Sequence, residues 1–225
     1  AVGQKTLDME RQSMQAMMIY VTGKLAPSER LPVTKSELTQ TLEGRAYTPQ
    51  QAELIASAQT PHNALATEIA HAAGLRAHEL LTLRPVAERA ADPRPALDSK
   101  WKGRSGEIYT VQGKGGLTRE VMIPHELAAR LEERRLDAPQ VVTDRGVFYQ
   151  SSYDIGGGQR WSNSVSAASE RTMGRSTGAH GLRHSYAQER MTELQNRGLS
   201  RDAALETVSQ EMGHFRPEIT ETYLR

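Results

Sequence analysis

Residues 107–124 read EIYTVQ, GKGGLT, REVMIP: two runs rich in β-branched and aromatic residues around a glycine-rich turn. That pattern predicts a hairpin. On both sides of it, apolar residues recur at helical spacing between Gly and Pro breaks. The fold class that follows is α+β, a mostly helical domain carrying one small antiparallel sheet.

The helical segments have recognisable ends. Residues 5–21 carry Leu7, Met14, Met17, Met18 and Val21 on one face, a methionine stripe suited to a core or to a partner helix. Residues 22–44 are polar and broken by Gly23, Pro27, Pro32 and Gly44, which reads as a linker around one short helix, SELTQTLE, and places a domain boundary near Gly44. Thr48 followed by Pro49 is an N-cap with proline at the first helical position. The next helix starts near Pro61 and stops at Gly74, a C-terminal glycine signal. LRAHELLTL is a short helix that ends before Pro85, and HELAARLEERR is another. Residues 148–161 read as a loop. SNSVSAASERTM, GLRHSYAQERMTELQNR, SRDAALETVSQEM and PEITETYL close the chain as helices.

Composition removes several chemistries. With no cysteine among 225 residues, disulfide frameworks, thiolate zinc sites, iron–sulfur clusters and cysteine nucleophiles are excluded. The apolar run 16–21 is too short to span a bilayer or form a signal-peptide core, so a soluble, intracellular protein is expected. The net charge is +1, yet between Arg94 and Arg119 six cations (Arg94, Lys100, Lys102, Arg104, Lys114, Arg119) face two anions, Asp98 and Glu107. The chain begins at Ala1 without an initiator Met, which reads as a fragment or a processed product.

Four clusters can carry chemistry. Arg76 and Glu79, three residues apart, can share a face, so the carboxylate can orient the guanidinium. Lys114 sits between Gly113 and Gly115 at the hairpin tip, without the spacing of a P-loop. His180 and Arg183 share a face at a helix start, where anions are favoured. His184, four residues after His180, would suit a second metal ligand, but no supporting motif such as HExxH is present and no metal is expected. Gly213-His214 is followed by Tyr223, which needs neighbours that favour phenolate over phenol to act as a nucleophile.

In this order the clusters resemble the tyrosine recombinases, the phage-integrase type of site-specific DNA recombinase. GLRAHELL resembles the family's first-arginine motif, VQGKGGLTREVMIP its lysine hairpin, HGLRHSYA its histidine–arginine motif, and MGHFRPEITETY its second-histidine and nucleophile motif. The resemblance implies a catalytic domain over residues 45–225, with 1–44 the end of a helical core-binding domain plus linker. It implies that Tyr223 is the nucleophile, that Arg76, Arg183 and His214 bind the scissile phosphate, that Lys114 is the acid for the leaving 5′ oxygen, that His180 assists proton transfer, and that Glu79 positions Arg76. Lys100, Lys102, Arg104 and Arg119 would then lie along the DNA backbone. No metal, ATP or other cofactor is implied.

The implied partner is a duplex DNA attachment site. The full-length protein is expected as a homo-tetramer on DNA, with accessory DNA-bending proteins as further partners, and this chain as a monomer without DNA. The implied location is the cytoplasm of a prokaryote, encoded by the host, a phage or another mobile element, with no membrane association. The neighbouring alternatives are a type IB topoisomerase and a catalytically silent DNA-binding relic. The histidine of His180-x-x-Arg183 resembles recombinases more than those topoisomerases, and an intact set of motif residues argues against a relic. Three departures stand out: the long Arg76-to-Lys114 interval containing DPRPALDSKWKGRSG, Met212 in place of the commoner leucine, and only two residues after Tyr223, where family members generally continue into a helix that docks on a neighbour.

Overall fold

The computed structural model describes residues 2–38, 44–113 and 115–225, and the chain divides into two compact units, Ala1–Glu43 and Gly44–Arg225. In the first, helix α1 (Gln4–Tyr20) has no buried residue, and its methionine stripe is open to solvent at Met14 and Met17, as is Met9 outside the stripe. The polar segment after it runs back along α1. Gln15 accepts the Leu31 amide, while the Gln4 side chain reaches both the Thr34 carbonyl and the Ser36 amide. Most of the short helix expected over SELTQTLE falls on residues 39–43, outside the described residues; Ser36–Leu38 before them are not helical.

The second unit starts with α2 (Pro49–Ser57), opened by a capping box in which Thr48 and Gln51 exchange side-chain and backbone hydrogen bonds. Helix α3 (Pro61–Ala73) ends at Gly74, whose φ of 61° is left-handed. A Cβ on Gly74 would lie 2.6 Å from the Tyr186 ring, so glycine is needed there for both reasons. A 3-10 turn, Glu79–Thr82, follows.

The expected hairpin forms from β2 (Glu107–Gln112) and β3 (Thr118–Ile123), with Val111 opposite Arg119. The two-residue β1 (Arg84–Pro85) adds a third antiparallel strand on its β2 edge. After α4 (His125–Glu132), the structure departs from the sequence reading. A second, two-stranded sheet forms from β4 (Arg135–Asp144) and β5 (Val147–Tyr153), turning at Arg145–Gly146, both at positive φ. The sequence had suggested one sheet, with a loop from residue 148. Ala138 and Pro139 interrupt the alternation of β4, and a register shift between Arg135 and Gln140 absorbs them as a bulge.

Helices α5 (Gly158–Met173), α6 (His180–Asn196), α7 (Arg201–Glu211) and α8 (Pro217–Glu221) complete the unit. Among the described residues no helix is long and apolar enough to cross a membrane. One core packs the inner face of β2 and β3 (Tyr109, Val111, Val121, Ile123) against Leu65 and Ile69 of α3, Leu131 of α4 and Trp161 of α5. A second lies between α6 and α7 and includes Met191, Leu194, Val208, Met212 and Tyr223. Each fully buried aliphatic or aromatic side chain contributes roughly 1.5–3 kcal/mol. Helix α6 belongs to both cores, through Leu182 and Tyr186, and carries the fully buried Arg183. That places the start of α6 against the Gly74 turn, the 3-10 turn and the end of α7.

Candidate active site

Glu79 is the anchor of this region. It is fully removed from solvent, and its carboxylate accepts Arg76 Nη1 at 2.8 Å, the Arg76 amide at 2.8 Å and Arg119 Nη2 at 2.9 Å. Burial alone would raise its pKa. The guanidiniums of Arg119, Arg183 and Arg76 and the Arg76 amide overcome that and hold it at about 2. Glu79 is therefore a fixed anion that orients Arg76, whose side chain remains partly open to solvent.

Arg183 is also fully buried. Its guanidinium donates to the Gly74 carbonyl, to the Met212 carbonyl at 2.5 Å and to His214 Nε2 at 3.0 Å. Burial and the neighbouring Arg76 pull it down to about 10, so it stays charged at neutral pH. Its Nε is buried with no hydrogen-bond partner.

Tyr223 packs against three imidazoles. Its ring centroid lies 5.2 Å from that of His180, 4.7 Å from His184 and 5.0 Å from His214, with the Arg183 guanidinium 5.6 Å away over its face. Tyr223 as a whole is 8% exposed. The Tyr223 carbonyl receives Gln188 Nε2 at 3.1 Å and lies 3.2 Å from His184 Nδ1. A carbonyl only accepts, so Nδ1 of His184 carries a proton.

All three imidazoles are held neutral. Packing of the His214 ring, followed by Arg183, Arg76 and Arg119, drives it to about 3. His180 meets solvent at its outer edge, but its ring is packed against Tyr223 and His184. That burial, then Arg183 and His184, brings it to about 4. Burial and Arg45 lower His184 as well. Cations thus surround a short aromatic cluster, an environment that favours an incoming anion. Among the described residues no group of three or more His, Asp or Glu could hold a metal ion.

The structure therefore brings Arg76, Glu79, His180, Arg183, His214 and Tyr223 into one region. Lys114 lies outside the described residues. Its predecessor Gly113 is at the site, since a Cβ there would be 3.6 Å from Glu79 Oε1.

The four cations expected along a DNA backbone fare differently. Arg119 is 4% exposed and points inward, donating to Glu79 and, at 2.7 Å, to the Glu211 carbonyl. Lys100 pairs with Glu120 at 2.9 Å and lies over the Trp101 ring. Arg104 forks onto both oxygens of Glu193 and stacks on Tyr186. Lys102 is exposed. The excess of cations between Arg94 and Arg119 is local to the sequence; in the fold, carboxylates from distant segments neutralise much of it.

Sequence reasoning missed several supporting groups. Glu211 is buried and accepts Arg190 through both oxygens, Tyr186 Oη at 2.9 Å and the Trp101 amide at 2.8 Å. It closes the segment 93–106 onto α6 and α7. A signal for Arg119 was present: it shares strand parity with Val121 and Ile123, so the inner apolar face carries it into the core.

A solved XerH site-specific recombinase bound to difH substrate, a pre-cleavage complex, superposes with TM-score 0.55 at 17% identity over 96% of this chain. The post-cleavage complex with palindromic difH substrate gives 0.58 at 16% over 100%. The fold is that of a tyrosine recombinase catalytic domain. The Tn1549 transposon integrase in complex with circular intermediate DNA shares it, with TM-score 0.52 at 16% identity over 100% of this chain and 76% of that one. The chain spans 60% and 62% of the two XerH chains. No family model and no curated protein matches the sequence. In this chain the Gly74 turn, the start of α6, the α7–α8 turn and the residues that follow α8 supply the converging side chains.

Proposed function

We propose that this chain is the catalytic domain of a site-specific DNA recombinase that cuts and rejoins strands through a 3′-phosphotyrosyl intermediate. The observation that carries the reading is the convergence on the Tyr223 ring of His180, His214 and the buried Arg183, from segments as distant as residues 180 and 223. Recombinases of this fold that are bound to DNA support duplex DNA as the substrate.

In this reading Arg76 and Arg183 bind the non-bridging oxygens of the scissile phosphate, where negative charge builds in the transition state, and His214 joins them. Tyr223 Oη attacks phosphorus, a new P–O(Tyr) bond forms, and the P–O5′ bond breaks. Lys114, assigned by its hairpin motif, gives its proton to the leaving 5′ oxygen. Neutral His180 takes up the tyrosine proton. A positioned acid or base of this kind contributes roughly 10²–10⁴ in rate. Rejoining reverses these steps on another strand, because the phosphotyrosyl ester conserves the bond energy. Glu79 keeps Arg76 aimed throughout. The unit Ala1–Glu43 is the end of a core-binding domain, and strand exchange takes place in a tetramer of the full-length protein.

The test is a pool of nicked duplexes that trap a covalent intermediate, incubated with the protein and EDTA. A denaturing gel shows any protein–DNA adduct, and peptide mapping locates it. An adduct on Tyr223 supports the reading; tight binding without an adduct favours a silent DNA-binding protein. Relaxation of supercoiled DNA without strand exchange would favour topoisomerase chemistry.

A further inference from the structure

Thr220 lies on α8, three residues before Tyr223, and is fully removed from solvent. Its hydroxyl is 2.8 Å from Nδ1 of His214, while Nε2 of the same ring is 3.0 Å from Nη2 of Arg183. A guanidinium has donors only, so Nε2 must accept. A neutral imidazole then carries its proton on Nδ1, and that N–H donates to Thr220 Oγ1.

We propose that Thr220 is a positioning residue that accepts the Nδ1–H of His214 and so couples that histidine to the turn bearing Tyr223. The inference rests on the roles given above to His214 and Tyr223.

The same residue works through its backbone, since the Tyr223 amide donates to the Thr220 carbonyl at 2.9 Å. Thr220 therefore holds the imidazole with its side chain and the tyrosine with its main chain. The His214 amide in turn donates to the Ser209 carbonyl at 2.9 Å, so the ring is anchored on α7 at its base and on α8 at its tip. Arg183, Arg76, Arg119, Glu79 and Tyr223 are the charged and titratable groups around it. With Nδ1 occupied, the Nε2 lone pair faces Arg183. When a phosphate enters, its negative charge favours a second proton on the ring, which then donates from Nε2 while Thr220 still holds Nδ1. Without an acceptor at position 220, the Nδ1–H would be buried with no partner while Arg183 still requires Nε2 to accept, so the ring would lose the contact that holds it to α8.

Thr220→Val keeps the shape and removes the acceptor; Thr220→Ser keeps the acceptor. The first readout is the Nδ1–H of His214 in the DNA-free full chain at neutral pH, from long-range nitrogen–proton NMR correlations and its exchange with solvent. All three proteins should show protonated Nδ1, and that proton should exchange slowly in the wild type and T220S and about tenfold faster in T220V. The second readout is the rate of adduct formation on nicked DNA. T220V should be slower by about tenfold, the weight of one net hydrogen bond, with DNA affinity unchanged, and T220S should recover the rate. A wild-type His214 protonated on Nε2 would overturn the proposal. So would a T220V protein whose Nδ1–H exchanges as slowly as in the wild type, or one whose Nδ1–H exchanges faster while adduct formation keeps the wild-type rate. If the wild type forms no adduct on Tyr223, the recombinase reading fails, while the Nδ1–H comparison still decides what Thr220 does to His214.

Discussion

Arg119 Nη2 donates to Glu79 Oε2 at 2.9 Å with both side chains shut off from water. Through the other end of its guanidinium, Arg119 holds the Glu211 carbonyl at 2.7 Å, so one side chain links the carboxylate that aims Arg76 to the end of α7 just before His214. Removing one partner of a buried pair leaves the other charge uncompensated, at roughly 3–5 kcal/mol. Arg119→Met should lower stability by about that amount, and Glu79→Gln should do so with a smaller loss because an acceptor remains. Urea unfolding checks both. A loss below about 1 kcal/mol for Arg119→Met, the scale of an exposed pair, would mean that the pair is open to solvent.

Gly213 separates α7 from His214 at φ 71°, and a Cβ there would lie 2.4 Å from Arg119 Cδ. Gly213→Ala therefore meets both a left-handed backbone and the aliphatic part of a pinned arginine. A loss of about 1–3 kcal/mol is expected. Gly174→Ala is the control, since that glycine has a similar φ of 68° with open space around it. Comparing their melting temperatures separates the steric part from the backbone part, and equal losses would rule out the Arg119 clash.

Stability should rise with pH in the acid range. His214 titrates at about 3 and His180 at about 4 in the folded chain, against an ordinary 6.5. Below 6.5 the unfolded chain takes up protons that the folded chain refuses, so its proton count is higher and acid favours unfolding. The stability is whole above that pH and declines as pH falls toward the folded values. A fully shifted histidine contributes at most about 1.4 kcal/mol per pH unit, and the partly open His180 contributes less. Glu79, held at about 2 against 4.5, adds a further loss at lower pH. The urea midpoint should drop between pH 7 and pH 5, and His214→Gln should flatten that slope. An unchanged slope would place His214 outside the protected group.

Tyr223→Phe should abolish covalent attachment to nicked DNA and leave affinity nearly unchanged. Adduct gels and binding titrations on the same duplex measure the two effects, and retained cleavage would remove Tyr223 as the nucleophile. Lys114→Ala should lose cleavage on ordinary DNA and regain it with a 5′-bridging phosphorothiolate, whose leaving group needs no acid. Absence of rescue would reassign the proton donor.

The sequence by itself determined the features that local physics sets. The Thr48 capping box, the left-handed stop at Gly74, the β2–β3 hairpin and the helical segments that become α6 and α7 follow from neighbours within a few residues. The motif spacing also named Arg76, Glu79, His180, Arg183, His214 and Tyr223, which the fold gathers into one region. The second hairpin escaped that reading because Ala138 and Pro139 interrupt its alternation, and only pairing with β5 makes it a strand. The direction in which a charge points escaped it as well. Arg119 and Arg104 belong to a cationic stretch of sequence, yet Glu79 lies 40 residues from Arg119 and Glu193 lies 89 residues from Arg104. Tertiary structure decides such pairings because a guanidinium leaves water only when a carboxylate or carbonyl meets it inside, and no local pattern shows which distant segment will bring one.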